Sequence, residues 1–244
     1  MYQKKTYDLG WMKMIEKSYP GNYGAPGKPR SQKQNKSPDV IEKQNERIRA
    51  RNLQLLIGAN FKEGDFHLTL TYRQDMRPAD PEEAKQRLKA FEDRMRIEYK
   101  KRGLPFKWIH VTEIGSRGAV HHHLVIENIQ EVNTTALVQK LWPYGHQNFS
   151  PLYTDGEFEQ LADYLQKKES KERVKGCRYS HSRNLIIPKP KIEKIHRRKW
   201  NQDPKPEKGW YVVKDSVING VNPYTQMPFQ KYTVRKMDTR RRRP

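Results

Sequence analysis

The stretch Gly118–Asn128, "GAVHHHLVIEN", decides how the middle of the chain is read. Val120, Leu124, Val125 and Ile126 make it short, apolar and β-branched, the composition of a covered strand. A strand points alternate side chains to opposite faces, so His121 and His123 share one face while His122 faces away. Two imidazoles at that spacing can hold one metal ion.

Just upstream, "KWIHVTEI" is a second strand, and "GSRG" separates the two, so they pair as a hairpin. A three-residue loop of Ser116, Arg117 and Gly118, with Gly118 left-handed, sets Glu113 opposite His121 and Val111 opposite His123. A two-residue loop would put Glu113 beside Val120 and His122, on the wrong face. The longer loop makes Glu113, His121 and His123 a facial set of three ligands. Such a set leaves positions open for water or substrate oxygen, as a catalytic site requires. Ordinary sheet histidines bonded to their neighbours are the competing reading.

Farther out, "GDFHLTLTYR" alternates Phe66, Leu68 and Leu70 with His67, Thr69 and Thr71, a strand with one face in the core. Asp80, Pro81 and Glu83 start a helix whose inward stripe is Ala84, Leu88, Phe91, Met95 and Tyr99, ending at Gly103. Asn133 caps a short helix through Leu137, Val138 and Leu141, stopped by Pro143; "GHQNFS" reads as a further strand. "DGEFEQLADYLQKK" is a helix with Phe158, Leu161, Ala162 and Leu165 inward. The order is strand, helix, strand, strand, helix, strand, helix. That is the split βαβ pattern: an α+β fold with an antiparallel sheet backed by helices, of ferredoxin-like or RNA-recognition-motif topology.

The flanks read differently. Residues 1–37 are rich in Lys, Gly, Pro, Ser, Gln and Asn and are expected to form a flexible basic arm. The domain proper is expected over 38–187, entered by a helix with Ser37 as cap, Pro38 first, and Ile41, Ile48 and Leu55 recurring every seven residues. Residues 188–244 are expected to be a basic extension in which "GWYVVKD" and "FQKYTVRK" form a β-hairpin turning around "NGVNPYTQ". "RRRR" at 240–243 reads as a charged tail.

Lysine and arginine total 49 against 28 aspartate and glutamate, a formal charge of +21, which points to a polyanionic partner, nucleic acid before membrane. With Cys177 as the single cysteine, neither an intramolecular disulfide nor a cysteine zinc site is available, so histidine and carboxylate must hold any metal. No run approaches the roughly 18 apolar residues of a membrane span, and the opening residues lack a signal-peptide core, so a cytoplasmic location is expected.

A metal and a basic surface ask for a nucleophile, and "LADYLQKK" offers Tyr164 at the border of an apolar helix face. Lys167 and Lys168, three and four residues on, share its side and can favour phenolate or balance charge on a phosphate. Tyr153 and Tyr179 are rivals without such a helix. A boundary tyrosine beside solvated lysines is the bland alternative.

Together, "FHLTLTY", "HHH" and "LADYLQK" resemble the three-motif pattern of the HUH endonucleases, specifically rolling-circle replication initiators of plasmids, phages and integrated elements. The resemblance covers about residues 40–190. It implies His121 and His123 as ligands, with His122 in a slot that is usually hydrophobic; His122 and Leu124 remain open as a second pairing. It implies Glu113 as third ligand and the single-tyrosine type, since Leu161, Tyr164, Leu165 and Lys167 match the tyrosine motif, with Lys168 as rival. It further implies Mn2+ or Mg2+, a 5′-phosphotyrosine intermediate on single-stranded DNA, and an origin that can carry a hairpin. A host polymerase and, absent a "GxxxxGK[ST]" loop, a host helicase in the bacterial cytoplasm complete the implied partners. Thr69, Thr71 and Arg73 on the first strand, and Lys175, Arg178, Ser180, Ser182, Arg183 and Asn184 after the tyrosine helix, are candidate DNA contacts.

Three other readings stay open. An HUH transposase or relaxase is the close relative. Two histidines and a carboxylate also describe non-haem iron oxygenases. A non-catalytic single-strand binder of RNA-recognition-motif type is the third, although the histidine strand lacks the aromatic pair that such platforms carry.

Overall fold

The computed structural model describes residues 1–19, 37–115, 118–153, 158–166, 179–223 and 225–237. In chain order its elements are β1 (Tyr2–Asp8), β2 (Met12–Ser18), α1 (Pro38–Asn60), β3 (Phe66–Leu70), α2 (Pro81–Lys100), β4 (Trp108–Ile114), β5 (Val120–Ile126) and α3 (Thr134–Leu141). β6 (Gln147–Pro151), α4 (Glu159–Gln166), β7 (Ser180–His181), β8 (Lys191–Ile195), β9 (Trp210–Val212), β10 (Ile218–Val221) and β11 (Pro228–Lys236) follow. The chain divides into two units, Met1–Arg49 with Ile187–Pro244, and Ala50–Ile186.

In the unit Ala50–Ile186, five antiparallel strands lie in the order β6-β3-β5-β4-β7. Its first four strands in sequence thus occupy the positions of the split βαβ pattern, with β7 added at the β4 edge. The α+β fold read from the sequence is the fold observed. Leu68 and Leu70 of β3 and Leu124 and Ile126 of β5 close a core with Leu88, Phe91 and Met95 of α2, and with Val138 and Trp142 around α3. The ends of α2 follow from its sequence: the Asp80 side chain accepts from Glu83 N–H at 2.7 Å, and Glu83 accepts in return from Ala79 N–H at 2.7 Å. All five residues of its expected inward stripe are buried. The Asn133 side chain caps α3 by accepting from Ala136 N–H at 3.3 Å.

The helix α1 departs from its heptad reading. Ile41 and Ile48 are exposed, and of the expected stripe Leu55 alone is buried, within a run from Leu53 to Gly58. One apolar residue per seven makes too thin a stripe to bury a helix face; the apolar cluster near the C-terminus of α1 decides what is covered.

Gly145 lies where β3 ends. A Cβ there would sit 2.7 Å from both Thr71 C and Tyr72 Cα and closer still to Thr71 O, all backbone atoms. Gly145→Ala should therefore lower stability by about 1 to 3 kcal/mol through overpacking, read as a lower melting temperature. An unchanged melt would mean that this backbone approach is not held in solution.

The second unit corrects the first half of the expected flexible arm over 1–37. Residues 2–8 and 12–18 are strands, β1 and β2, paired with each other. They join a six-stranded antiparallel sheet ordered β10-β11-β2-β1-β8, with β9 also on β11. The expected boundary near 37/38 is replaced by a unit that interleaves the two chain flanks. The C-terminal hairpin is present as β10 with β11, but "NGV" belongs to β10 rather than to the turn, and Trp210–Val212 pairs farther along β11. One sheet face is closed within this unit: Trp200 packs edge-on against Tyr2 at 5.2 Å, Lys13 lies 4.4 Å over the Trp210 ring, and Gln230 Nε2 donates to Asn201 O and Gln202 O at 2.9 Å. Buried Lys17 donates to Gln230 Oε1 at 2.8 Å, and burial holds its ammonium below the ordinary lysine range. Residues 20–36 and the tail 238–244 lie outside the described residues.

Candidate active site

The hairpin register sets the site. Gly115 N–H donates to Ala119 O and Gly118 N–H to Gly115 O, both at 2.8 Å, and Gly118 is left-handed at φ +76°. Residues 116 and 117 are not among those described, yet the strand pairing is fixed on either side: Ile114 faces Val120, Glu113 faces His121 and Val111 faces His123. This is the register of a three-residue loop. It puts Glu113, His121 and His123 on one face of the sheet, and β3 adds His67 and Thr69, with Thr69 opposite His123.

His123 is the centre of that face. Its Nε2 lies 3.2 Å from Glu113 Oε2, while its Nδ1 lies 3.3 Å from both Thr69 Oγ1 and His67 Nε2. The His67 and His123 rings stack at 5.4 Å. When Nδ1 carries the proton and shares it with Thr69, Nε2 is left with a lone pair beside a carboxylate, the tautomer a metal ligand needs. His121 is set opposite Glu113 by register. Among the described residues no three His, Cys, Asp or Glu side chains already stand together as a metal-holding group. The donor set nevertheless suits a divalent ion with mixed nitrogen and oxygen ligation, two imidazoles and a carboxylate on one face.

The helix α4 brings Tyr164 to the same place. Its ring meets His123 edge to face at 5.5 Å and His67 at 6.1 Å, and it stays 44 % exposed. Phe158, Ala162 and Leu165 are buried and anchor the helix. Partial burial and then the Glu113 carboxylate raise the Tyr164 phenol above its ordinary value, so it is protonated as it stands. Lys167 and Lys168, expected to favour phenolate, lie outside the described residues. The rival Tyr153 is 65 % exposed, and the Tyr179 ring faces His181 at 6.3 Å.

His122 points to the opposite face, as alternation requires. It is fully buried, its Nε2 2.8 Å from Tyr72 Oη and its Nδ1 2.9 Å from Thr112 Oγ1. Both nitrogens are occupied, so His122 holds strands together. Beside it, Glu92 of α2 hydrogen-bonds His110, whose ring stacks on Trp108 at 4.8 Å; burial raises the Glu92 carboxyl.

Burial, and then the neighbouring His123, hold the His67 imidazole down at about 4; burial, and then His110, hold His122 at about 3. Both rings are neutral in the fold, whereas unfolded imidazoles take up protons below the ordinary value of 6.5. The unfolded state then binds more protons, so stability is full above pH 6.5 and is lost as pH falls toward 4 and 3. Thermal melts in chelator buffer should fall steadily through that window; a rising melt would contradict the buried, neutral assignment.

The candidate DNA contacts are placed variously. Thr69 stands behind His123. Thr71 bonds His146 through backbone and hydroxyl and receives Trp142 Nε1–H on its carbonyl at 3.0 Å. Arg73 is exposed, its Nε 3.6 Å from Asp75. Ser180 lies in β7 opposite His110, Ser182 Oγ accepts from Trp108 N–H at 3.1 Å, and Asn184 Nδ2 donates to Phe106 O at 3.1 Å. These serine and asparagine groups fasten the β7 segment; Arg183 is exposed. Lys175 and Arg178 lie outside the described residues. The sequence reading left out His67, although the alternation of β3 already placed it on the face of Thr69.

Residues 65–169, less than half of the chain, match a family described as replication-associated protein. No curated protein and no solved structure matches. The match spans Glu113, His121, His123 and Tyr164 and supports a replication-associated protein that interacts with DNA. Among the described residues no helix is long and apolar enough to cross a membrane.

Proposed function

We propose that the protein is a metal-dependent tyrosine endonuclease and strand transferase, of the single-tyrosine HUH type, that initiates replication at a single-stranded origin. What carries this reading is the convergence of Tyr164, Glu113 and His123 on one sheet face inside the matched segment. Mn2+ or Mg2+ held by Glu113, His121 and His123 would polarise the scissile phosphate. Tyr164 Oη attacks the phosphorus in line, the bond to the 3′ oxygen breaks, and a 5′-phosphotyrosine forms. The phenol gives up its proton and the departing oxygen takes one, leaving a free 3′-hydroxyl for a host polymerase. His67 and Thr69 keep the His123 ring in plane, and the His67 ring backs Tyr164. Lys167 and Lys168 balance charge on the attacked phosphate. Reversal of the tyrosyl link by an incoming 3′-hydroxyl closes or transfers the strand. A host helicase supplies the unpaired DNA.

The test uses end-labelled single-stranded DNA of randomised sequence with Mn2+, Mg2+ or chelator. The expected result is metal-dependent cleavage whose 3′ end a polymerase extends. Retained DNA binding with no cleavage under any metal would overturn the reading in favour of a binding module, and dependence on Fe2+ and oxygen would favour an oxygenase.

A further inference from the structure

The positive charge is unevenly divided. Met1–Arg49 and Ile187–Pro244 hold 27 of the 49 Lys and Arg residues and 10 of the 28 Asp and Glu, a formal +17. Ala50–Ile186 holds the remaining 22 and 18, a formal +4. The charge that attracts a polyanion is therefore carried mainly by these two flanking stretches, although 8 of their 27 Lys and Arg residues lie outside the described residues.

Within that sheet the two faces differ. The face of Ile15, Lys17 and Tyr232 is closed by the segment around Trp200 and Trp210. On the other face, register aligns two adjacent rows across the strands. Lys194, Gln3, Ser18, Phe229 and Gly220 form one; Ile192, Lys5, Glu16, Lys231 and Ile218 form the next. None of these side chains is buried; Lys194 is exposed and Lys5 and Lys231 are half-buried. The next row on this face, Tyr7, Met14 and Thr233, is buried, so the solvent-reached part is the end formed by these two rows, with three ammonium groups and one carboxylate. The Phe229 ring lies against Gly220, within 3.1 Å of where a Cβ would stand, so the ring is seated on the sheet.

We propose that this end of the face is a second DNA-binding surface, which grips the phosphate backbone of duplex DNA through Lys5, Lys194 and Lys231. Cationic groups on a flat face suit backbone contact without base readout. A single-strand binder would instead present successive rings for stacking, and these two rows hold one aromatic side chain, already seated. The surface does not depend on the tyrosine chemistry: it would hold duplex whatever reaction the other unit performs.

The test compares the full chain with Lys5→Gln/Lys194→Gln/Lys231→Gln by fluorescence anisotropy on a short blunt duplex and a single strand of equal length, across a salt series. Each lost phosphate contact should flatten the slope of log K against log salt by about 0.9, so the triple variant loses about 2 to 3 of the slope and about tenfold or more in duplex affinity. Single-strand affinity should change by less than about twofold, and Lys5→Arg/Lys194→Arg/Lys231→Arg should behave as wild type. If the triple variant melts early, the exposed Lys194→Gln alone should still lower the slope by about 1. An unchanged duplex slope in a folded variant would overturn the proposal, as would equal losses on duplex and single strand. So would lost binding to phosphatidylserine vesicles with duplex binding intact, which would assign the face to a lipid surface. None of these outcomes touches strand cleavage, so the two proposals fail separately.

Discussion

Tyr164→Phe leaves the protein folded and bound to single-stranded DNA but lowers strand cleavage by about a thousandfold or more, because one oxygen, the nucleophile, is removed. The ring keeps its edge contacts with His123 and His67, and 44 % exposure means that loss of the hydroxyl leaves no buried void. Single-turnover cleavage measured beside anisotropy separates the two effects. Wild-type cleavage in the variant would move the nucleophile elsewhere, Tyr153 and Tyr179 being the next tyrosines to substitute.

His123→Ala has the second large effect. The ring is bonded at both nitrogens, to Glu113 on one side and to His67 and Thr69 on the other. Its loss removes a ligand and leaves Glu113 without that partner, so Mn2+ affinity should fall by about a hundredfold or more, at a cost of about 1 to 3 kcal/mol in stability. Calorimetric titration with Mn2+ and a thermal melt read the two. His122→Ala should do the reverse, lowering the melt while sparing Mn2+ affinity, since its nitrogens serve Tyr72 and Thr112 inside the core. If His122→Ala abolishes Mn2+ binding and His123→Ala does not, the face assignment of β5 is wrong.

The parts of the fold governed by local rules were readable from the chain. Asp80, Pro81 and Glu83 announce α2, its stripe from Ala84 to Tyr99 is buried throughout, and loop length with Gly118 fixes the register that puts Glu113 opposite His121. What escaped depends on contacts between distant segments. His67 gains its role because β3 lies beside β5, more than fifty residues later in the chain, and nothing within β3 announces that neighbour. β1 and β2 looked like an arm because their lysines dilute the alternation; their strand partners, β8 and β11, come from the far end of the sequence. Hydroxyls and amides such as those of Ser182 and Asn184 suit phosphate contact by composition, yet each bonds the backbone of a neighbouring segment.

The central claim is tested most directly by finding the residue that carries DNA. After reaction of the full chain with a single-stranded oligonucleotide and Mn2+, protease digestion and mass spectrometry should find one nucleotide-bearing peptide, with a 5′ phosphate ester on Tyr164. Cleavage without any nucleotide-bearing peptide, or an adduct on Tyr153 or Tyr179, would contradict it.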